Sequence, residues 1–182
     1  MSARISDPDV RMLAAISGTL HHEYETEEDP WHGSPFAWIK QQQSRQRGKI
    51  GEQLVSGLLA ANGFDIARSG DTEADRLVNG TRVEIKFSTL WKAGVYKFQQ
   101  VRDQDYSLMI CLGISPFDAH RWAIPKTILL KHVIGVLGQH SGARGRDTAW
   151  MSFTPDHPYP WLEGCGGRLR SAIEAIRRHV GD

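Results

Sequence analysis

The segment from Arg82 to Phe87 alternates charged and apolar residues at every step. A period of two is that of a β-strand with one buried face. The dipeptide Asn79-Gly80 just before it is a two-residue hairpin signal, and a short β-rich run precedes that turn. The pattern therefore predicts a β-hairpin with strands over Arg76–Val78 and Thr81–Phe87.

Apolar residues recur at helical spacing in three other segments. Asp7–Leu20 and Leu169–Val180 have apolar residues at steps of three or four, which predicts a first and a last helix. A longer helix is predicted from Phe36 to about Ala61, where an Asn-Gly pair ends the run, and its pattern allows a break near Gly48. Within its second half the predicted buried stripe consists of Ile50, Leu54, Gly57 or Leu58, and Ala61.

The remaining apolar runs predict further strands between these helices. Tyr106–Ile114 is almost continuously apolar, as expected of a strand that is buried on both faces. Shorter β-rich runs are Phe64–Ala67, Arg121–Ile124 and Thr148–Phe153. We therefore predict an α/β (α+β) fold in which a central mixed β-sheet is flanked by helices.

Length and composition favour a single folded domain. The chain has 182 residues, of which 40% are hydrophobic and 24% are charged, as in ordinary globular proteins. Its longest apolar runs fall well short of the roughly 20 residues that cross a bilayer, and Met1–Val10 lacks a signal-peptide core. The two cysteines are isolated, without metal-ligand spacing. We expect a cytoplasmic protein with no membrane partner.

The charge of the chain is unevenly distributed, although the net charge is only +1. The first thirty residues carry seven acids and two arginines, a balance of −5, and the rest carries 20 bases and 14 acids, a balance of +6. A basic body allows a nucleic-acid partner. Scatter of charge over a solvated surface is the alternative interpretation of this balance.

Three ionisable side chains converge on the predicted hairpin. Strand alternation places Glu84 and Lys86 on one face, and pairing through the tight turn brings Asp75 alongside Glu84. Two carboxylates without competing nitrogen or sulfur ligands suit Mg²⁺, which also takes phosphate oxygens as ligands. An adjacent lysine can orient the attacking water and offset charge that builds on the phosphate. The constellation predicts a phosphodiester-cleaving site.

These residues resemble the motif of the PD-(D/E)XK nuclease superfamily over roughly Gly48–Pro125. Asp75 is followed by Glu84-Ile85-Lys86 on the next strand, and it is preceded by Glu52 in a predicted helix. The proline that gives the motif its name is Ala74 here. A lone Glu-x-Lys on an exposed strand is common, so the combination and order of these residues carry the resemblance.

The resemblance implies a restriction-endonuclease-like core and a role for each motif residue. Asp75, Glu84 and the main-chain carbonyl of Ile85 would bind Mg²⁺, for which Mn²⁺ could substitute, Lys86 would serve catalysis, and Glu52 would support the site. The chain divides accordingly into an N-terminal helical region (1–47), a catalytic core (48–126) and a C-terminal region (127–182) with a DNA-contacting loop and a terminal helix.

The pattern downstream of the motif looks most like that of small type II restriction endonucleases. It consists of Phe98–Arg102, Asp105-Tyr106, a buried strand and Ile124-Pro125-Lys126. This resemblance implies site-specific cleavage of double-stranded DNA by a homodimer, since one domain carries one active site and palindromic targets fit a twofold axis. Two alternatives stay open. One is a repair or recombination nuclease of the same superfamily, such as a mismatch-nicking enzyme or a junction resolvase. The other is a DNA-binding module that has lost catalysis.

Basic, amide and aromatic residues around the motif are the candidates for DNA contact. The Gly138–Arg146 segment is rich in glycine and carries two arginines and a histidine, which favours a loop that orders on DNA. The alternative to DNA contact is exposure to solvent for the polar residues and packing in the core for tryptophan. The candidates are Lys49, Trp91, Gln99, Gln100, Arg102, His140, Arg144 and Arg146, and Arg45 and Arg47 are further basic residues on the helix of Lys49.

Overall fold

A computed structural model describes residues 6–24, 29–137 and 148–181. The chain separates into two compact units, Met1–Gly33 and Ser34–Asp182. The first unit contains helix α1 (Pro8–Tyr24), which extends beyond the predicted Asp7–Leu20. The division into one domain with three regions stays a prediction. In the part of the chain that is described, no helix is both long and apolar enough to span a bilayer.

The helices of the second unit are short except for two. Its helices are α2 (Ala37–Lys40), α3 (Ser44–Ala60), α4 (Lys126–His132) and α5 (Leu169–Val180), with a 3₁₀ turn at Pro160–Leu162. The predicted long helix is therefore two helices, and the break falls at Gln41–Gln43 rather than at Gly48. The polar run at the break has no apolar side chain to bury, so no packing holds it in a helix.

Within the described residues the main sheet has six strands. In chain order its strands are β1 (Ile66–Arg68), β2 (Arg76–Val78), β3 (Thr81–Thr89), β5 (Leu108–Ile114), β6 (Ala119–Pro125) and β8 (Gly166–Arg168), which is also their order across the sheet. Strands β3 and β5 are parallel, and the other neighbouring strands are antiparallel. The sheet is therefore mixed, and the predicted fold class is confirmed.

A second, two-stranded sheet covers part of one face of the main sheet. It pairs β4 (Tyr96–Val101) with β7 (Ala149–Phe153). Its inward side chains join those of β5, β6 and α4 in the main core, where Phe98, Met109 and Trp122 are fully or almost fully buried. Helices α3 and α5 cover the opposite face. Aromatic side chains hold this core together by edge contacts, as between Trp122 and Phe153, whose ring centroids are 5.0 Å apart.

Helix α3 lies close against β3, and this contact sets the position of the site. Its buried stripe is Gly51, Val55 and Leu59. The predicted stripe was wrong by one position, and Leu54 is 36% exposed. The reason is the close approach of the two elements: a β-carbon at Gly51 would overlap the Cβ and ring atoms of Phe87. Only glycine lets the helix come this near to the strand.

This close approach yields a stability prediction. Gly51→Ala is expected to lower the free energy of unfolding by about 1–3 kcal/mol, because the new methyl group must push the helix off β3. Gly57→Ala in the same helix is the matched control. A β-carbon there meets nothing within 4 Å, so it should raise the free energy of unfolding by up to about 1 kcal/mol through helix propensity. Urea denaturation of both variants measures this, and equal effects would contradict the packing account.

Two strands and one helix were absent from the sequence prediction. Strand β8 contains Gly166 and Gly167 at φ values of +129° and +109°, a composition that does not indicate a strand. Strand β4 alternates aromatic and polar residues, and this period of two could have predicted it. Helix α4 has only seven residues, too few for its periodicity to be recognised.

Candidate active site

The β2–β3 hairpin fixes Asp75 against the backbone of the next strand. Asp75 directly precedes β2, and its N–H donates to the carbonyl of Val83 at 3.0 Å. Its carboxylate oxygen Oδ2 accepts a hydrogen bond from the N–H of Ile85 at 2.7 Å. Both the main chain and the side chain of Asp75 are thus tied to β3, so its carboxylate is held in place without any ligand.

Glu84 and Lys86 lie on one face of β3, as the alternation predicts. The ammonium Nζ of Lys86 is 2.7 Å from Oε1 of Glu84, and the two side chains are 17% and 10% exposed. The side chain of Ile85, between them, points to the opposite face of the strand and is buried. The partly buried ion pair orients the lysine, because little room is left for other rotamers.

The two carboxylates converge at this point. Burial raises the pKa of Glu84 most strongly, and the charge of the nearby Asp75 raises it further. The Lys86 ammonium opposes both effects and does not cancel them. Like charges in one partly dry space call for a proton or a cation between them. The arrangement therefore attracts positive charge.

Glu52 approaches the same place from helix α3. Its pKa is raised, first by burial and then by the charge of Asp75. Its Oε2 lies 3.3 Å from Nη2 of Arg76, which follows Asp75 in the chain. Glu52 is therefore near the two carboxylates and is engaged by a neighbouring guanidinium.

All the predicted catalytic residues line one open groove of about 640 Å³. Its lining also includes basic, amide and aromatic side chains from α3, β4 and the segment between β3 and β4. The residues that line the groove include Arg45, Arg47, Glu52, Asp75, Glu84, Ile85, Lys86, Trp91, Lys97, Gln99 and Gln100. One concave surface thus joins the acidic cluster to groups that suit a polyanion.

The predicted DNA-contacting residues divide into three groups. Trp91, Gln99 and Gln100 line the groove, and Trp91 is 47% exposed. Lys49 and Arg102 are exposed but do not line it. Arg102 instead lies in the turn after β4, where its carbonyl accepts a hydrogen bond from the hydroxyl of Tyr106. His140, Arg144 and Arg146 fall outside the described residues.

Lys97 is a groove residue that sequence reasoning missed. Its Nζ lies 4.0 Å from the centre of the Trp91 ring, which places a cation over one aromatic face. Its backbone N–H donates to the hydroxyl of Ser88 at 2.9 Å and so fastens β4 to β3. The alternation of β4 is the signal that could have found it. Arg45 and Arg47 line the groove, whereas Lys49, two residues after Arg47, does not.

The donor groups fit a hard divalent ion. Asp75 and Glu84 offer converging oxygen atoms, and Mg²⁺ is bound through one or two carboxylates with water and substrate phosphate completing its octahedron. Among the described residues no set of three His, Cys, Asp or Glu side chains is arranged to hold a metal ion. That agrees with the ion pair that engages Glu52. The site thus offers two carboxylates rather than three.

Comparison with known proteins gives little beyond this geometry. No protein-family model matches the chain, and no curated protein matches it. Solved structures that are similar to it include a bacterial homing endonuclease, I-Ssp6803I. The identity is 14% and the TM-score is 0.48, over 75% of this chain and 96% of that chain. At this level, similarity does not indicate a shared activity.

Proposed function

We propose that the protein is a magnesium-dependent endonuclease that cuts double-stranded DNA at a specific sequence, in the manner of a type II restriction enzyme of the PD-(D/E)XK superfamily. The observation that carries this proposal is the convergence of Asp75, Glu84 and Lys86 in one groove. A carboxylate pair beside an oriented ammonium suits hydrolysis of a phosphodiester, which needs a cation at the phosphate and an activated water.

The two carboxylates share one task in this proposal. Asp75 and Glu84 would hold the ion, together with the main-chain carbonyl of Ile85, and Mn²⁺ would substitute for Mg²⁺. The bound ion would polarise the phosphate and lower the pKa of the attacking water. The hydrogen bond from the N–H of Ile85 keeps one oxygen of Asp75 engaged, so this carboxylate is oriented before any ligand arrives.

Lys86 supplies a positive charge beside the reacting phosphate. Glu84 holds its ammonium at 2.7 Å, and the side chain is only 17% exposed. A preoriented cation in a partly dry site offsets the charge that develops on the phosphate in the transition state and helps to position the attacking water.

The groove also offers groups that fit the DNA around the cut. Arg45 and Arg47 on α3 and Lys97 on β4 are cations that suit backbone phosphates. Gln99 and Gln100 on β4 carry amides that suit base edges, since Gln pairs with adenine through two hydrogen bonds. The acidic cluster lies among these groups, so a phosphate bound by the cations would be next to the carboxylates.

Lys97 tests whether DNA lies in this groove. Lys97→Met is expected to weaken binding to all duplexes alike and to reduce the slope of log affinity against log salt by about one unit, because one phosphate contact is lost. Lys131→Met is the matched control, since Lys131 is exposed on α4 and does not line the groove. Fluorescence anisotropy at several salt concentrations in calcium measures both. The same DNA affinity and salt dependence in the two variants would show that DNA does not lie in this groove.

Cleavage of supercoiled plasmid tests the proposed activity. With Mg²⁺ we expect linear products, which require two coordinated cuts and hence two copies of the chain acting as a homodimer. EDTA is expected to abolish them. Open circles alone would indicate a nicking or repair enzyme. Intact plasmid under all conditions, with DNA still bound, would indicate a binding module and contradict the proposal.

A further inference from the structure

Arg76 connects helix α3 to the acidic cluster through three separate contacts. Its Nη2 lies 3.3 Å from Oε2 of Glu52. Its Nε donates to the hydroxyl of Ser56 at 3.2 Å, and its Nη1 donates to the backbone carbonyl of Asp75 at 2.6 Å. The side chain is only 22% exposed. Each guanidinium nitrogen therefore has a partner.

Two of these contacts do not depend on Glu52. The Ser56 hydroxyl is itself fixed, because it donates to the carbonyl of Glu52 at 2.7 Å and points its lone pairs at Arg76. The carbonyl of Asp75 belongs to the hairpin backbone. When two nitrogens of a planar guanidinium are anchored, the third nitrogen is held in place as well. The Arg76 side chain therefore needs no further ordering to bind Glu52. Arg76 is thus a preorganised partner for the Glu52 carboxylate.

Glu52 is the third carboxylate of the cluster, and the charge of Asp75 affects it directly. Freed from Arg76, it would be available as a third carboxylate beside the pair formed by Asp75 and Glu84. The guanidinium and a metal ion would compete for the same carboxylate. In the structure the Glu52 carboxylate is paired with the guanidinium of Arg76. No set of three metal-binding side chains forms among the described residues.

We propose that Arg76 is a positioning residue that withholds Glu52 from the metal, so that the site binds a divalent ion weakly until DNA is present. This inference rests on the proposed function. Two carboxylates and the carbonyl of Ile85 would hold the ion weakly, and a phosphate oxygen of the substrate would add a further negatively charged ligand. Arg76 therefore makes metal binding depend on DNA, which limits metal-dependent chemistry to the complex.

Calcium binding without DNA tests this role by a readout that is independent of cleavage. Isothermal titration with CaCl₂ would compare the wild type, Arg76→Met, Glu52→Gln and the double variant. Arg76→Met is expected to bind calcium at least about tenfold more tightly, because Glu52 joins the ligands. Glu52→Gln is expected to stay within about threefold of the wild type, and the double variant is expected to match Glu52→Gln.

The double variant separates release of Glu52 from a general effect of charge. If the loss of a nearby cation alone strengthened metal binding, that gain would persist without the Glu52 carboxylate. A tightening that persists in the double variant would overturn the positioning role, and so would equal affinities for the wild type and Arg76→Met. Thermal melts check that each variant is folded. If Arg76→Met is not, Arg76→Gln replaces it with the same expectation, since the charge that engages Glu52 is lost while the side chain stays polar.

The outcomes also separate this inference from the proposed function. Magnesium-dependent cleavage by the wild type, with calcium affinities that do not differ among the variants, would overturn the role of Arg76 and leave the nuclease standing. Absence of metal-dependent cleavage in the wild type would overturn both. A conservative change gives a further check: Arg76→Lys keeps a cation within reach of Glu52, so its calcium affinity is expected to stay near that of the wild type.

Discussion

Glu84→Gln and Asp75→Asn are each expected to abolish magnesium-dependent cleavage and to leave the protein folded. Each change removes the negative charge of one carboxylate ligand and keeps its shape, so the pair that attracts the ion becomes a single carboxylate. Asp75→Asn can still accept the hydrogen bond from the N–H of Ile85 through its amide oxygen. Single-turnover cleavage with excess enzyme measures the effect, and circular dichroism confirms the fold.

A matched carboxylate outside the groove provides the control for this prediction. Glu163 is exposed after the 3₁₀ turn and does not line the groove, so Glu163→Gln is expected to cleave at the wild-type rate. Wild-type rates in Glu84→Gln or in Asp75→Asn would show that the carboxylate pair is not the metal site. The calcium titration described for Arg76 would then show no loss of binding in these variants either.

Lys86→Met is expected to separate chemistry from binding. The change keeps the length of the side chain and removes the ammonium that lies beside Glu84. Cleavage is therefore expected to fall by roughly three orders of magnitude, while DNA affinity in calcium stays within about tenfold of the wild type. The charge acts on the transition state rather than on the bound duplex. Single-turnover rates and anisotropy titrations on the same preparations give the two numbers.

Lys92→Met is the control for this prediction, because Lys92 is exposed near Trp91 and does not line the groove. Its cleavage rate is expected to match that of the wild type. Parallel loss of binding and cleavage in Lys86→Met would instead make Lys86 a structural residue that supports the buried carboxylate of Glu84. A stability measurement would then show a large loss, since an unpaired carboxylate would stay behind.

The arrangement of side chains on the hairpin was predictable because it is local. Strand alternation and an Asn-Gly turn fix which side chains share a face, and these rules need no knowledge of the rest of the chain. The strand Arg76–Val78 was predicted with its observed bounds, and Glu84 lies beside Lys86 as the alternation requires. The roles of these residues in metal binding and catalysis stay predictions.

Contacts between distant segments were not predictable in the same way. Strand β4 pairs with β7, about fifty residues later, and it is also fastened to β3 by the hydrogen bond from Lys97 to Ser88. The ion pair between Arg76 and Glu52 depends on how closely α3 approaches β3, which Gly51 decides. A sequence pattern gives the type of an element, but it does not give the register between two packed elements.

The same limit explains why the predicted DNA-contacting residues on α3 do not match the residues that line the groove. Lys49 and Arg47 are two positions apart on one helix, yet the groove includes Arg47 and not Lys49. The predicted stripe of α3 was displaced by one residue, which rotates every side chain by about 100° around the helix axis. An error of that size moves a basic residue from the groove to the solvent.

Digestion of a phage genome of known sequence tests the central claim most directly. With Mg²⁺ the purified protein is expected to give discrete fragments whose mapped ends share one short sequence, and neither EDTA nor the Glu84→Gln variant is expected to give fragments. Such a pattern requires metal-dependent cleavage, sequence recognition and the proposed carboxylate together. An intact genome with Mg²⁺, or fragments that the Glu84→Gln variant produces equally well, would contradict the account.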